Sequence, residues 1–306
     1  MMNFSSNKIK EFITNYFNID QTISLIVLKE SNECTVYLLE SMTHQYYVKI
    51  FNDQNDKVAF NIVEEEIDII SFLHQHDILV PHIITSISGK LVNHFPSNGL
   101  IIMLKENEVS LDDDMQLLGN NLAKMHKCLK LYPNSLHYMD NNLDKVHCPE
   151  FLISGIYHHI KTSVEGQPNK EWKEIDEGLI KLVTIFRLPV ELSKQLIHGD
   201  LNKDNLIRLE LGYYFFDFSD FKKFSIAYDL ALIILSVGLD NYDAILEGYM
   251  QISALSRNER EAITVFILRR WIKSNQRIVQ RLNDKSSFEE IWKEALGVIK
   301  FVNNHI

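Results

Sequence analysis

Residues Gln195–Asp229 read QLIHGDLNKDNLIRLELGYYFFDFSDFKKFSIAYD, and three oxygen-bearing side chains within them, Asp200, Asn205 and Asp217, stand at a spacing that carries chemistry. Between the last two, Leu206–Leu209 and Tyr213–Phe216 are apolar, strand-like runs, and Leu211-Gly212 supplies the turn of a β-hairpin. A hairpin folds its ends together, so Asn205 and Asp217 are expected to meet at its open end, next to Asp200. Two metal-binding oxygens beside a carboxylate base are what phosphoryl transfer from Mg2+-ATP requires.

Composition sets the frame around this stretch. The chain has 306 residues, of which 46% are hydrophobic and 24% charged, as in globular proteins with a sizeable core. A net charge of −10 argues against a nucleic-acid partner, which needs a basic face; it would suit a cationic substrate but reads first as a solubility feature. Cys34, Cys128 and Cys148 have no motif spacing and read as reduced thiols. The pairs His74/His76 and His158/His159 lack a matching second pair for a zinc site. No basic stretch leads into an apolar core and cleavage site at the N-terminus, and the most apolar run, Leu230–Leu239, is too short to span a bilayer. The expectation is a cytoplasmic protein without a membrane partner, monomeric or homodimeric.

In chain order, residues 6–17 carry a helical stripe of Ile9, Phe12, Ile13, Tyr16 and Phe17. Ile23–Lys29, Thr35–Glu40 and Gln45–Phe51 follow as an antiparallel meander, turning at Glu30–Cys34 and Ser41–His44. The first turn has no glycine; Ser31 is its candidate donor to a nucleotide phosphate. Lys49, isolated in the apolar strand YYVKIF, faces either solvent or phosphates. Residues 57–75 form a helix bearing Glu64, Glu65 and Glu66, one of which can pair with Lys49 and hold it. LVPHIITSI is expected to resume as strand after Pro81, and Leu100–Leu104 as another that turns polar like a hinge. Beyond it the pattern turns helical: an amphipathic helix over MQLLGNNLAKMHKCLKL, then helices at Glu171–Phe186, Val190–Gln195, Ala227–Gly238, Asp243–Ile252, Arg257–Leu282 and Ser287–Asn304. Asn134–Gln167 reads as irregular. The predicted class is α+β, with residues 1–105 a small antiparallel-sheet lobe and 106–306 a larger, mostly helical lobe.

His198–Asn205, HGDLNKDN, resembles the H-x-D-x-x-x-x-N loop shared by protein kinases and small-molecule kinases, with Asp217 in the place of the magnesium-binding Asp. The version here differs from that of protein kinases. Gly199 stands for their Arg, Asn202 for their Lys, D-F-S for D-F-G, and A-P-E is missing. HGDLNKDN…FFDFSDF…YDLA, with LGNNLAKMH at 118–126, is similar to the aminoglycoside phosphotransferase and choline kinase superfamily. The resemblance covers roughly residues 25–235 and implies a two-lobed, protein-kinase-like fold. AILEGYMQISALSRNEREAI and ILRRWIKSNQRI tilt it toward type II homoserine kinases and hydroxylysine kinases.

Carried over by position, the resemblance implies that Asp200 orients and deprotonates the acceptor hydroxyl, and that Asn205 and Asp217 bind Mg2+. Lys49 would contact the α/β-phosphates, with Glu66 fixing it and Glu65 the alternative. Met103 would be the gatekeeper, with Leu104, Lys105 and Glu106 as hinge backbone. His198 and Asp229 would support the loop. The missing glycines in the first hairpin loop and in KKFSI bear on nucleotide fit, so GTP stays open beside ATP.

The expected activity is ATP- and Mg2+-dependent transfer of phosphate to a hydroxyl of a small molecule, an amino alcohol or amino-acid-like metabolite. The alternatives are an aminoglycoside or other antibiotic acceptor, and a nucleotide-binding pseudoenzyme. Asp220, Asp240, Asp243 and Glu247 are candidate ammonium partners, and Arg269 and Arg270 candidates for a carboxylate.

Overall fold

Alternation along Gln45–Phe51 sends Tyr46, Val48 and Ile50 to one face of a strand, and all three are buried. In the computed structural model this strand, β3, is the middle of a five-stranded antiparallel sheet. The described residues are 5–30, 34–51, 57–95, 98–106, 114–133, 192–279, 294, 297–302, 304 and 305. The predicted helix at Glu171–Phe186, the irregular stretch 134–167, Ser31, Cys148 and the His158/His159 pair lie outside them. The chain falls into two compact units, Met1–Tyr138 with Asp204–Phe221, and Met139–Lys203 with Lys222–Ile306. Among the described residues no helix is long and apolar enough to cross a membrane.

In the first unit, β1 (Thr22–Glu30), β2 (Cys34–Ser41), β3, β4 (Asn93–Phe95) and β5 (Asn98–Leu104) are ordered β1-β2-β3-β5-β4. The β2–β3 turn is tied by the Ser41 amide donating to the His44 carbonyl at 2.9 Å, and by the His44 amide donating to the Ser41 hydroxyl at 3.1 Å. Helix α1 (Ser6–Tyr16) lays Ile9 and Ile13, both fully buried, against Leu39, Val48, Ile50 and Ile102. Each such side chain contributes about 1.5–3 kcal/mol by leaving water. Tyr16, expected in the same stripe, is instead exposed and stacks on Phe12. Helix α2 (Lys57–Gln75) buries Val63, Ile67, Ile70 and Leu73, spaced at three and four residues. Helix α3 (Met115–Leu129) is capped by Asp114, whose side chain accepts from the Leu117 amide at 2.9 Å, and buries Leu118, Leu122 and Met125.

Two expectations need correction here. Residues 82–86 do not form a strand. Ile83 makes a single bridge with Met103 and Ser86 one with Phe17, and the chain then turns at Gly89, φ 79°. The other end of β5 is taken by β4, which pairs Asn93–Phe95 with Asn98–Leu100 and leaves the 82–84 segment only a short edge to follow. The hairpin forms, as β7 (Leu206–Leu209) and β8 (Gly212–Phe215), but its turn is Glu210-Leu211, because Leu209 pairs with Gly212.

Gly212 is placed by its neighbour. The Tyr213 amide donates to Asn121 Oδ1 of α3 at 2.8 Å, and a Cβ on Gly212 would collide with that same amide side chain. The backbone there, φ 155°, is one that L side chains rarely adopt.

In the second unit, β6 (Gln195–Ile197) pairs with β9 (Lys222–Phe224), in register Gln195↔Phe224 and Ile197↔Lys222. A helix was expected through Gln195; that residue begins a strand instead. Helix α4 (Ile226–Val237) is buried over most of its length and packs on α6 (Arg257–Val279). The short α5 (Tyr242–Met250) lies between them in sequence, and residues 297–302 are again helical. Glu259 closes the start of α6, accepting from the Ser256 amide and hydroxyl, both at 2.8 Å.

Asn121→Ala is expected to lower stability by about 1–2 kcal/mol by stranding the Tyr213 amide. Gly212→Ala should destabilise the wild-type chain and cost less in the Asn121→Ala background, a coupling that urea denaturation of the four proteins reads directly.

Candidate active site

Lys49 lies on the β3 face opposite the α1 core, yet it is buried. Its ammonium sits 3.1 Å from Asp217 Oδ1 and 3.6 Å from Glu66 Oε1, and 5.2 Å from the centre of the Phe51 ring. Burial works against the charge, but Glu66 and then Asp217 outweigh it and hold Lys49 above the ordinary lysine range. Of the three consecutive glutamates on α2, Glu66 is the one that faces Lys49. Glu64 is exposed and Glu65 half-buried, since successive helical residues point about 100° apart.

The hairpin delivers the other groups of this unit. Asn205 ends a 3-10 turn, Lys203–Asn205, and its side chain is buried. The Phe216 amide donates to the Asn205 carbonyl at 3.2 Å, continuing the β7–β8 ladder and bringing the backbone before Asp217 alongside Asn205. Asp217 itself adopts the left-handed conformation, φ 62° and ψ 67°, which is uncommon outside glycine. Its Oδ1 accepts from Lys49 and from the Ser219 hydroxyl at 3.0 Å. At the expected hinge, the Leu104 amide donates to the His82 carbonyl and the Lys105 amide to the Gln45 carbonyl, both at 2.9 Å. Those two amides are therefore engaged within the unit, and Met103 pairs with Tyr47 in the sheet.

The second unit positions Asp200. Strand β6 runs into His198 and Gly199, whose amides donate to Asp229 Oδ2 at 2.8 Å and Oδ1 at 2.9 Å. Asp229 and His198 are fully buried, and Gly199 takes φ 88°, a conformation glycine adopts without strain. Asp229 stands in the first turn of α4, after the Ser225 cap. A buried carboxylate accepting two backbone N–H bonds fixes the loop's main chain, which leaves the Asp200 side chain as the adjustable part. Asp200 is half-buried. Its Oδ2 accepts from Asn202 Nδ2 at 3.2 Å, and Arg270 Nη2 lies 3.5 Å from Oδ1.

Asp200 opens on a cleft of about 980 Å³ walled by α4, α5, α6 and the C-terminal helical residues. Of the carboxylates expected at an acceptor, Asp240 and Asp243 line it, and Glu247 does not. Asp220 is exposed in a 3-10 turn of the other unit. Glu294 and Trp271, joined by an indole contact of 3.4 Å, also line the cleft and were not anticipated; no local pattern marks them. Ser219, seen in sequence only as a departure from D-F-G, is the second donor to Asp217.

A family model described as the phosphotransferase enzyme family matches residues 24–262. No curated protein matches the chain in sequence. Solved structures resemble it in fold. The AMP-bound spectinomycin phosphotransferase APH(9)-Ia is 15% identical, with a TM-score of 0.68 over 98% of both chains. Amicoumacin kinase hAmiN, in complex with AMP-PNP, Ca2+ and Ami, is 16% identical, with a TM-score of 0.64 over 97% of this chain and 94% of that one. A microcompartment-associated aminopropanol kinase is 17% identical, with a TM-score of 0.64 over 98% of this chain and 97% of its own.

Asp229→Ala is expected to cost about 3–5 kcal/mol of stability, since it leaves two buried amides without their charged acceptor. Urea denaturation checks this.

Proposed function

Since the chain belongs to the phosphotransferase enzyme family, we propose that it transfers the γ-phosphate of ATP, with Mg2+, to the hydroxyl of a small amino alcohol or amino-acid-like acceptor. The observation that carries this reading is Lys49, buried and held between Glu66 and Asp217. A buried ammonium kept charged by two carboxylates is a fixed point charge of the kind that binds nucleotide phosphates.

Asp217 and Asn205 fit a divalent metal. A carboxylate and an amide oxygen are hard donors, and Mg2+ takes few protein ligands, completing its shell with phosphates and water. The Asp217 side chain is 36% exposed, and its Oδ1 is already held by Lys49 and Ser219. When bound, Mg2+ supplies neutralising charge at the phosphates. Ser31 in the first hairpin loop and the hinge at Met103–Lys105 complete the proposed nucleotide contacts. With the Leu104 and Lys105 amides engaged, the hinge offers an adenine edge its carbonyls and the Glu106 backbone. On this reading nucleotide recognition draws on residues 1–105, and the base and acceptor cleft on 106–306.

Asp200 acts on the acceptor. It accepts the hydroxyl proton as the oxygen attacks the γ-phosphorus, the bond from that phosphorus to the β,γ-bridging oxygen breaks, and ADP leaves with the electron pair. The transition state is loose, so orienting the hydroxyl matters at least as much as basicity. The acceptor's ammonium is assigned to Asp240 and Asp243, which share the cleft with Asp200. The likeness to an aminopropanol kinase supports an amino alcohol. Two acidic side chains and the likeness to antibiotic kinases support a second reading, a polyamine antibiotic. A pseudoenzyme is disfavoured by the joint presence of Lys49, Asp200, Asn205 and Asp217.

A coupled ADP-release assay across amino alcohols, hydroxy amino acids, choline, aminoglycosides and macrolides tests the reading. Asp200→Ala should lower turnover roughly 10²–10⁴-fold while nucleotide binding persists. Asp217→Ala should abolish turnover and weaken binding of the metal–nucleotide complex. Near wild-type turnover by Asp200→Ala would remove the assigned base.

A further inference from the structure

We infer that Arg270 is a specificity-determining residue that reads a carboxylate on the acceptor, and that this recognition releases Asp200 for its task. The inference rests on the reading of Asp200 as the base and of its cleft as the acceptor site.

Arg270 comes from α6 and lines the cleft beside Asp200. Among the described residues its one polar contact is Asp200 Oδ1, at 3.5 Å, the outer limit of a hydrogen bond. Both side chains are about one-third exposed, 32% for Arg270 and 35% for Asp200. A guanidinium carries five N–H donors in a planar fork, and a single long contact uses almost none of that capacity. A further donor at the Asp200 side chain, Asn202, is a neutral amide bound to both the carboxylate and the main-chain oxygen of Asp200. Arg270 therefore places a cation directly against the base.

That position has two consequences. A guanidinium against Oδ1 competes with the acceptor hydroxyl for the same oxygen, so Arg270 restrains the base until an acceptor takes its place. A carboxylate offers the fork a bidentate partner that Asp200, held at 3.5 Å, does not. An acceptor bearing one draws Arg270 away from Oδ1 and places its own hydroxyl there. The rest of the wall fits such a molecule. Asp240, Asp243 and Glu294 supply negative charge for an ammonium, and Arg270 and Lys300 supply the opposite sign. A polycation would meet Arg270 unrelieved, and an amino alcohol without a carboxylate would leave it on the base.

The test is steady-state phosphorylation, by the full chain with Mg2+-ATP, of two matched pairs: L-homoserine against 3-aminopropan-1-ol, and L-serine against ethanolamine. The second member of each lacks only the carboxylate. For at least one pair, kcat/KM should favour the carboxylate-bearing member by about 100-fold or more, with part of the preference in kcat because the base is released as well as the acceptor bound. Arg270→Gln should bring that ratio to within about threefold of one, and Arg270→Lys, which keeps the charge without the fork, should retain part of it. A purely structural role, or a role on the transferred phosphate, lowers both members alike, and an unmoved ratio in Arg270→Gln overturns the inference. So does a wild-type ratio near one, or no turnover of any carboxylate-bearing acceptor. Should the variants fail to fold, the wild type still decides. L-2-aminobutyrate, the deoxy analogue of homoserine, should compete with the acceptor where n-propylamine does not; equal inhibition by the two refutes carboxylate reading. Failure of the underlying function looks different, because then no acceptor of any class, aminoglycosides included, raises ADP release above background.

Discussion

One buried ammonium organises the first unit. Lys49 cannot stay charged in the interior without partners, and it finds them on two separate pieces of chain, Glu66 on α2 and Asp217 after the hairpin. Sheet, helix and hairpin are thereby joined at a single point by charge rather than by apolar packing alone. The cluster holds two carboxylates to one ammonium, an excess of one negative charge, which is the sign of charge that a bound cation relieves.

The second unit solves a different problem, that of holding a loop still while leaving one side chain able to move. Asp229 accepts both the His198 and the Gly199 amide and fixes the backbone from beneath. The Asp200 carboxylate accepts from the Asn202 amide at 3.2 Å and stands 3.5 Å from the Arg270 guanidinium.

Much of this was legible in the residues because periodicity and turn chemistry speak locally. The meander, α2, α3 and the β7–β8 hairpin follow from alternation and from three- and four-residue spacing. What escaped has a common cause: it depends on partners distant in sequence. Gln195–Ile197 is only three residues long, and it is a strand because Lys222–Phe224, a lysine-rich segment, lies beside it. The hairpin turn lies one residue earlier than expected because Leu209 pairs with Gly212, and the strand that Gly212 opens is tied to Asn121, on another element, through the Tyr213 amide. Nothing local separates Glu66 from Glu64 and Glu65, or Arg270 from Arg269; only packing decides which of two or three consecutive helical residues faces the site. Asp240 and Asp243 reach the cleft while Glu247, one turn further along α5, does not. The role of Asp229 came from family resemblance, since a carboxylate in a run of apolar residues does not announce which amides it will bind.

The left-handed backbone at Asp217 has a consequence for how this protein can decay. Asparagine tolerates that conformation about as well as aspartate does, and its amide oxygen can still accept from Lys49 and Ser219. A chain altered to asparagine there would keep the local backbone but lose one of the two carboxylates that hold the buried Lys49 charge. Position 229 behaves oppositely, because its carboxylate is part of the scaffold. The two aspartates thus fail differently: an asparagine at 217 still fits its backbone and can accept two hydrogen bonds, whereas a neutral side chain at 229 leaves two buried amides without their charged acceptor.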